Sequence, residues 1–326
     1  MASTIAASVV ARIYDVAVGQ GVSEATLCAT IGRSRAELVE DARVTIDATF
    51  ACFAACMQHT QDASFPLQVA QAVAVEDYPV LGFAMMTSAT VTEAFDRLVR
   101  YGHLISDSGT WRMRESRREV ELCWLRAGRR SLGHRVANEC ALAELLGGLR
   151  SNYGKNLRPV KVYFRHPAPA DARAHQRYFG APIVWGATKD ALVFAPTLLT
   201  LQAPKSNVAM SRYFDGLLKR HVQAQASCAG RVNQVLTVGL SSGRPSATAV
   251  ALQLGMSDRS LRRALAEEAT SFRDVLDELR RTIASDMIGA NKSGTEIAFL
   301  LGFSETSALS RAFRRWHGTS MRRRLK

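Results

Sequence analysis

The sequence predicts an α+β domain followed by an all-α domain with two helix-turn-helix motifs joined by a long helix. Three observations carry this. Short stretches of alternating apolar and polar residues occur only in the first two thirds of the chain, among segments with helical spacing. A pattern of alanine, three residues, glycine, then a small or apolar residue six positions on occurs twice near the end, its two glycines 47 residues apart. Between the copies, apolar residues keep helical spacing over a long uninterrupted run.

The elements follow in order. Ile5, Val9, Ile13 and Val16, then Leu38, Phe50, Phe53 and Met57, fall at helical intervals, so residues 1–75 read as mostly helical. A short apolar run, Val80 to Met86, precedes Thr90-Val-Thr-Glu93, a capping-box pattern that opens a helix carrying Phe95, Leu98 and Val99. Trp111, Met113, Val120, Leu122 and Trp124 alternate with polar residues, predicting two strands joined by the charged turn Glu115 to Glu119. Val136 to Leu149 reads as a helix, Val160, Val162 and Phe164 as a strand ended by Pro167 and Pro169, Ala172 to Phe179 as a helix, and Ala191 to Phe194 as a strand. The small, polar stretch from Gln223 to Gly230 has the composition of a domain boundary. The predicted division is therefore a domain over 1–225, a linker over 226–233 and a helical domain over 234–326.

A chain of 326 residues with 47% hydrophobic content fits two folded domains and excludes disordered and collagen-like classes. The formal charge is +13, of which +7 lies in residues 231–326 and +6 in the other 230, so the C-terminal region is the candidate face for a polyanion. Arg12, Asp15, Gln20 and Glu24 interrupt the apolar opening, so no signal peptide is expected, and no stretch is apolar for the ~18 residues a membrane span needs. A soluble cytoplasmic protein without a membrane partner is expected. The six cysteines lack CxxC spacing, which favours neither a disulfide framework nor a zinc site; buried apolar roles are expected. No GxSxG, HExxH, GxxxxGK[ST] or GxGxxG occurs in a fitting context, so the reading is not an enzyme, with no metal and no cofactor.

The duplicated pattern reads as ALQLGMSDRSL over 251–261 and AFLLGFSETSA over 298–308. Small alanine lets two helices approach, glycine tolerates a left-handed turn, and Ser257 or Ser304 is placed to cap the next helix. From a cap at Thr270 or Ser271, the helix through Phe272, Val275, Leu276, Leu279, Ile283 and Met287 would hold the two motifs at a fixed separation. Both second helices would then reach successive major-groove segments, about 34 Å apart, on one side of DNA.

The run EIAFLLGFSETSALSRAFRRWHGTS over 296–320, with MSDRSLRRAL over 256–265 and SFRD over 271–274, resembles the C-terminal signature of AraC-type transcriptional regulators. Two positions depart from that pattern: Leu309 stands where phenylalanine is usual and Met321 where proline is usual. The N-terminal stretches LGFAMMTS over 81–88, EAF over 93–95, LRPVKVYFRHPAP over 157–169 and YFGAP over 178–182 are similar to the arabinose-binding-like ligand-binding domain of one AraC subgroup.

The resemblance implies a sequence-specific transcriptional regulator, read here as an activator, controlled by an unidentified small-molecule effector bound to the N-terminal domain. Its partners would be double-stranded promoter DNA, RNA polymerase and the effector, with the subgroup pointing to a homodimer on the bacterial nucleoid. In the first recognition helix Arg259, Arg262 and Arg263 share an outward face, and arginine pairs bidentately with guanine O6 and N7. In the second, Thr306, Ser310 and Arg311 hold the matching positions. Ser257, Ser304, Arg314, Arg315, Arg322 and Arg323 are the candidate phosphate contacts, with Arg324 in the same tail. Trp111, Trp124, Tyr163, Arg165, His166 and Trp185 are the candidates for the effector pocket, against the plainer reading of each as core or surface. The competing function is an effector-independent DNA-binding or architectural protein whose N-terminal domain only dimerises.

Overall fold

The computed structural model describes residues 3–39, 42–128, 130–204, 206–240, 245–289, 293–303 and 305–318. The chain divides into two compact units, Met1–Leu218 and Lys219–Lys326.

The first unit opens with β1 (Thr4–Ala6), α1 (Ala7–Gly19), α2 (Glu24–Ile31), β2 (Arg43–Thr45), α3 (Ile46–Thr60) and α4 (Phe65–Ala72). Helix α1 buries Val9, Val10, Ile13, Tyr14 and Ala17, the face that the apolar spacing marks. The opening is not purely helical, because β1 and β2 pair antiparallel, Ile5 opposite Val44. Strands of three residues are too short to show alternation, which is why the sequence hides them.

Next come α5 (Pro79–Met86), the predicted apolar run, and α6 (Val91–Tyr101). The Thr90 hydroxyl caps α6 by accepting the Glu93 amide, and the Glu93 carboxylate turns back to accept the Ala89 amide, so the capping pattern closes one residue earlier than the standard box. The predicted hairpin is β3 (Gly109–Glu115) with β4 (Val120–Arg126), Trp111 opposite Trp124. Helix α7 (Leu132–Tyr153) extends the predicted helix at both ends and starts from Ser131, whose hydroxyl accepts the His134 amide. There follow β5 (Lys161–Tyr163), α8 (Arg173–Phe179), β6 (Ile183–Val184) and β7 (Asp190–Phe194). The sheet order is β3-β4-β7-β5-β6, antiparallel except for the β5–β6 pair. All five residues of β7 are buried, as expected of a central strand. The unit's core joins α1, α3, α4 and α7 to the inner face of this sheet.

Helix α9 (Val208–Ala226) carries the division between the units. The second unit is α10 (Cys228–Gly239), α11 (Ala247–Gln253), α12 (Asp258–Glu267), α13 (Phe272–Gly289), α14 (Gly294–Leu300) and α15 (Thr306–His317). The stretch 226–233, expected to be a linker, is therefore helical apart from Ser227. That residue caps α10 by accepting the Gly230 amide, and the carboxylate of Glu268 accepts the Cys228 and Ala229 amides at 2.6 and 2.9 Å. The small polar residues there serve as a helix start rather than as slack chain.

Leu236, Leu261, Leu265, Ile297, Leu301, Leu309 and Phe313 form the centre of the second unit's core. Leu309 is fully buried, so the smaller side chain at that position is packed rather than exposed. No described helix is long and apolar enough to cross a membrane. All six cysteines are free thiols, five of them buried.

Candidate nucleic-acid interface

The duplicated sequence pattern produces a duplicated turn. After α11 the chain passes through Gly255 at φ +67°, and the Met256 amide donates to the Ala251 carbonyl at 2.9 Å. After α14 it passes through Gly302, also at φ +67°, and the Phe303 amide donates to the Ala298 carbonyl at 2.9 Å. The left-handed backbone is what demands glycine at both places, because a side chain there would crowd its own carbonyl.

In the first motif Ser257 accepts the Ser260 amide at 3.1 Å and so starts α12. Leu261 and Leu265 are fully buried, which turns Arg259, Arg262 and Arg263 outward, all three exposed. Exposed Arg262 lies 2.9 Å from half-buried Asp258 and exposed Arg263 lies 3.7 Å from exposed Glu267, each pair one helical turn apart. Such pairs are worth at most about 1 kcal/mol, so both guanidinium groups can be surrendered to another anion at small cost.

In the second motif Thr306, Ser310, Arg311 and Arg314 are exposed while Leu309, Ala312 and Phe313 are buried. Arg311 lies 3.8 Å from Glu305. Among the candidate phosphate contacts, Arg315 is exposed and pairs with Asp277 of α13 at 2.8 Å, which joins α15 to the connecting helix. Ser304, Arg322, Arg323 and Arg324 lie outside the described residues, as does Met321. The described N-cap of α15 is Glu305, without a side-chain cap.

Helix α13 opens from Ser271, whose hydroxyl accepts the Asp274 amide at 3.2 Å. It carries the residue that sequence reasoning missed. Arg280 donates from Nε to the Leu301 carbonyl at 2.9 Å and from Nη2 to the Gly302 carbonyl at 3.3 Å, and its guanidinium lies 4.3 Å from the centre of the Phe303 ring. A charged side chain from the connecting helix thereby holds the second turn in shape. The only signal in the sequence was an arginine beside Leu279 on the inner side of an amphipathic helix.

On the first unit, the six effector candidates separate into groups. Trp111 and Trp124 are buried against each other, ring centres 4.9 Å apart. Trp185 stacks on Phe164 at 5.0 Å and lies 5.2 Å from His166. Tyr163 lies beneath the ammonium of Lys189 at 4.8 Å. Arg165 is half-buried and fixed through its backbone amide, which donates to Asp190 at 2.9 Å. Two of the open clefts on this unit measure about 530 and 570 Å³, and none of the six lines either.

His166 is buried on a carboxylate that the sequence did not reveal. Glu139, on the inner face of α7, lies 2.9 Å from His166 Nε2 and 2.7 Å from His175 Nε2, and His166 Nδ1 is 2.9 Å from the Pro167 carbonyl. Burial opposes protonation of His166, but the Glu139 hydrogen bond and charge and the Pro167 carbonyl outweigh it, and its pKa is raised. A histidine raised on folding adds stability that is complete below its unfolded value, near 6.5, and is lost as pH rises through the folded value. Urea midpoints across this range are therefore expected to show wild type most advantaged over His166→Gln at the acid end, with the gap closing as pH rises. Buried His134, depressed by desolvation and then by Arg126, titrates in the opposite sense. The comparison must therefore be made against the variant; a gap independent of pH would count against the Glu139 pairing. No group of three or more His, Cys, Asp or Glu suited to a metal occurs among the described residues.

An α+β unit followed by two turn motifs around one connecting helix, with arginines on the outward face, is the build of a helix-turn-helix transcriptional regulator. The family model for the arabinose-binding domain of AraC transcription regulators matches residues 21–203, and a helix-turn-helix domain model matches residues 250–326. The chain belongs to the AraC family of transcription regulators, whose members are not enzymes.

The ornithine utilization regulator of Pseudomonas aeruginosa is 29% identical over 268 residues, covering 77% of this chain and 75% of that one. The transcriptional regulator VirS of Mycobacterium tuberculosis is 29% identical over 195 residues, covering 57% of this chain and 54% of its own. Among solved structures, the transcriptional regulator CdpR from Pseudomonas aeruginosa aligns over 80% of this chain and 86% of its own at 24% identity, with a TM-score of 0.40.

Proposed function

We propose that this chain is a sequence-specific transcriptional activator whose promoter binding is controlled by a small molecule held in the first unit. The observation that carries the DNA-binding part is the duplicated turn, with Gly255 and Gly302 in the same backbone conformation and Arg259, Arg262 and Arg263 exposed on the helix after the first. The DNA-binding domain is taken to span 234–326 and the effector and dimerisation domain 1–225. RNA polymerase, a second copy of the chain and a cytoplasmic setting belong to the same reading. Arg259, Arg262, Arg263, Thr306, Ser310 and Arg311 would read base edges, and Ser257, Ser304, Arg314, Arg315, Arg322 and Arg323 would meet phosphates. Effector control requires a ligand that binds unequally to two arrangements of the protein, one competent for DNA and one not.

Genome-wide mapping of bound DNA for wild type and for the Arg262→Ala/Arg263→Ala double variant tests the reading. Sharp sites with a shared motif about two helical turns long, lost in the variant, are expected. Diffuse binding that the variant leaves unchanged would favour an architectural protein. On an isolated operator, Arg262→Ala is expected to cost roughly 1 to 3 kcal/mol, concentrated at one base position, while Arg314→Ala weakens operator and random DNA alike and lowers the salt slope by about 1. Equal loss on both DNAs for Arg262→Ala would reassign that residue to phosphate. Operator titrations with and without cell metabolites test the effector part.

A further inference from the structure

The larger of the two clefts, about 570 Å³, opens between the start of α3, the end of β4 and the start of α7, with Asp47, Phe50, Ala51, Ser108, Arg126 and Ser131 among its lining. Arg126 is unusual in it. The residue is 6% exposed, yet no carboxylate is in ion-pair contact with it among the described residues. Its Nε donates to the Ser108 hydroxyl at 3.1 Å and its Nη1 to the Asn138 side-chain oxygen at 2.8 Å, and Asn138 in turn donates to Asp190 at 2.9 Å. Asp190 is thus reached only through an amide, and Nη2 has no hydrogen-bond partner among the described residues.

The rings of Phe50 and Trp124 lie 5.3 and 5.0 Å from the guanidinium carbon. With rings against the guanidinium, what remains for a ligand is its Nη2 edge. Burial without a paired anion lowers this guanidinium to about 10, the mark of a cation held at a cost. Two further buried nitrogens around the same group, Trp124 Nε1 and His134 Nε2, also lack partners among the described residues, and the His134 ring stands edge-on to Phe50 at 5.2 Å. A buried cation with a free donor edge in a cleft is an arrangement that an anion completes.

We infer that this cleft is the effector site and that it takes a small monocarboxylate with a short apolar chain, its carboxylate on the Nη2 edge of Arg126. A flat anion suits the exposed edge of a planar guanidinium. The hydroxyls of Ser108 and Ser131 stand beside it, and Ser131 also marks the N-terminus of the 22-residue helix α7, whose dipole favours negative charge. Phe50, Ala51 and Ala54 supply apolar wall for the chain, while exposed Asp47 would repel a second carboxylate. The inference rests on the effector-controlled reading given above.

The test is calorimetric titration of the full chain with sodium acetate, butyrate and hexanoate, and with inorganic phosphate, at constant ionic strength. Saturable carboxylate binding is expected, at least about tenfold weaker in Arg126→Lys, which keeps the charge but not the planar edge. The same loss is expected in Ala51→Phe, which fills the cleft from an exposed position. No saturable binding by any carboxylate, binding that Ala51→Phe leaves unchanged, or phosphate bound as well as carboxylate would each overturn the proposal. Operator titrations separate the two readings. A response to cell metabolites that persists in Ala51→Phe removes this cleft and leaves effector control standing, whereas carboxylate binding that never alters operator affinity removes the control and leaves the site.

Discussion

Placing alanine at position 133 is expected to destabilise the first unit by about 3 kcal/mol or more, the upper end of what a single methyl group does to a packed interior. A Cβ at Gly133 would sit 1.8 Å from the Phe50 carbonyl oxygen, 2.5 Å from its carbon and 2.8 Å from its Cα. All three are backbone atoms of α3, so no rotamer change relieves the contact and the two helices must part. The control is on the same helix. At exposed Gly148 a Cβ meets nothing within 4 Å, and Gly148→Ala is expected to stabilise by up to about 1 kcal/mol, because glycine carries an entropic cost inside a helix. Chemical denaturation of both variants followed by far-ultraviolet circular dichroism checks the pair; equal midpoints would refute the close approach. Because Phe50 and Ser131 line the cleft at Arg126, the spacing that Gly133 permits also sets the width of that cleft.

Arg280→Ala is expected to destabilise the second unit by about 2 to 3 kcal/mol. It removes two charge-assisted hydrogen bonds to the Leu301 and Gly302 carbonyls together with the contact over the Phe303 ring. Those carbonyls end α14 and enter its turn, where the helix has no further amides of its own to offer. Operator affinity should fall through loosening of the second recognition helix, with base preference at the first motif retained. Arg280→Lys should recover part of the stability but not the forked geometry. Denaturation and operator titration on the full chain measure both effects; a stability change within about 0.5 kcal/mol would mean the clamp does not hold the turn.

Leu261, Leu265, Leu309 and Phe313 are buried as their helical spacing requires, and Gly255 and Gly302 are left-handed as the repeated turn requires. The strands around Trp111 and Trp124 pair as the hairpin that their alternation and the charged turn between them imply. Each of these is a local matter: periodicity, a cap or a glycine turn depends on residues a few positions apart.

Residue type alone does not record what packs beside the effector candidates: Trp111 and Trp124 lie against each other, Trp124 also lies 5.0 Å from the Arg126 guanidinium, and Trp185 stacks on Phe164. The polar groups of note were instead Arg126, Glu139, Asn138 and Asp190, which nothing in their immediate neighbours distinguishes from surface residues.

By itself, then, the sequence determined the two kinds of domain, the duplicated turn and the outward arginines of α12, because short-range geometry and the segregation of apolar from charged residues specify them. Only the tertiary structure decided that Arg280 clamps a turn 21 residues away, that Glu139 lies between His166 and His175, and that Arg126 is buried with one edge unmatched in a cleft. The physical reason is that a charge buried without an adjacent partner is costly or useful according to what distant segments bring beside it, and side-chain chemistry alone does not record that distance.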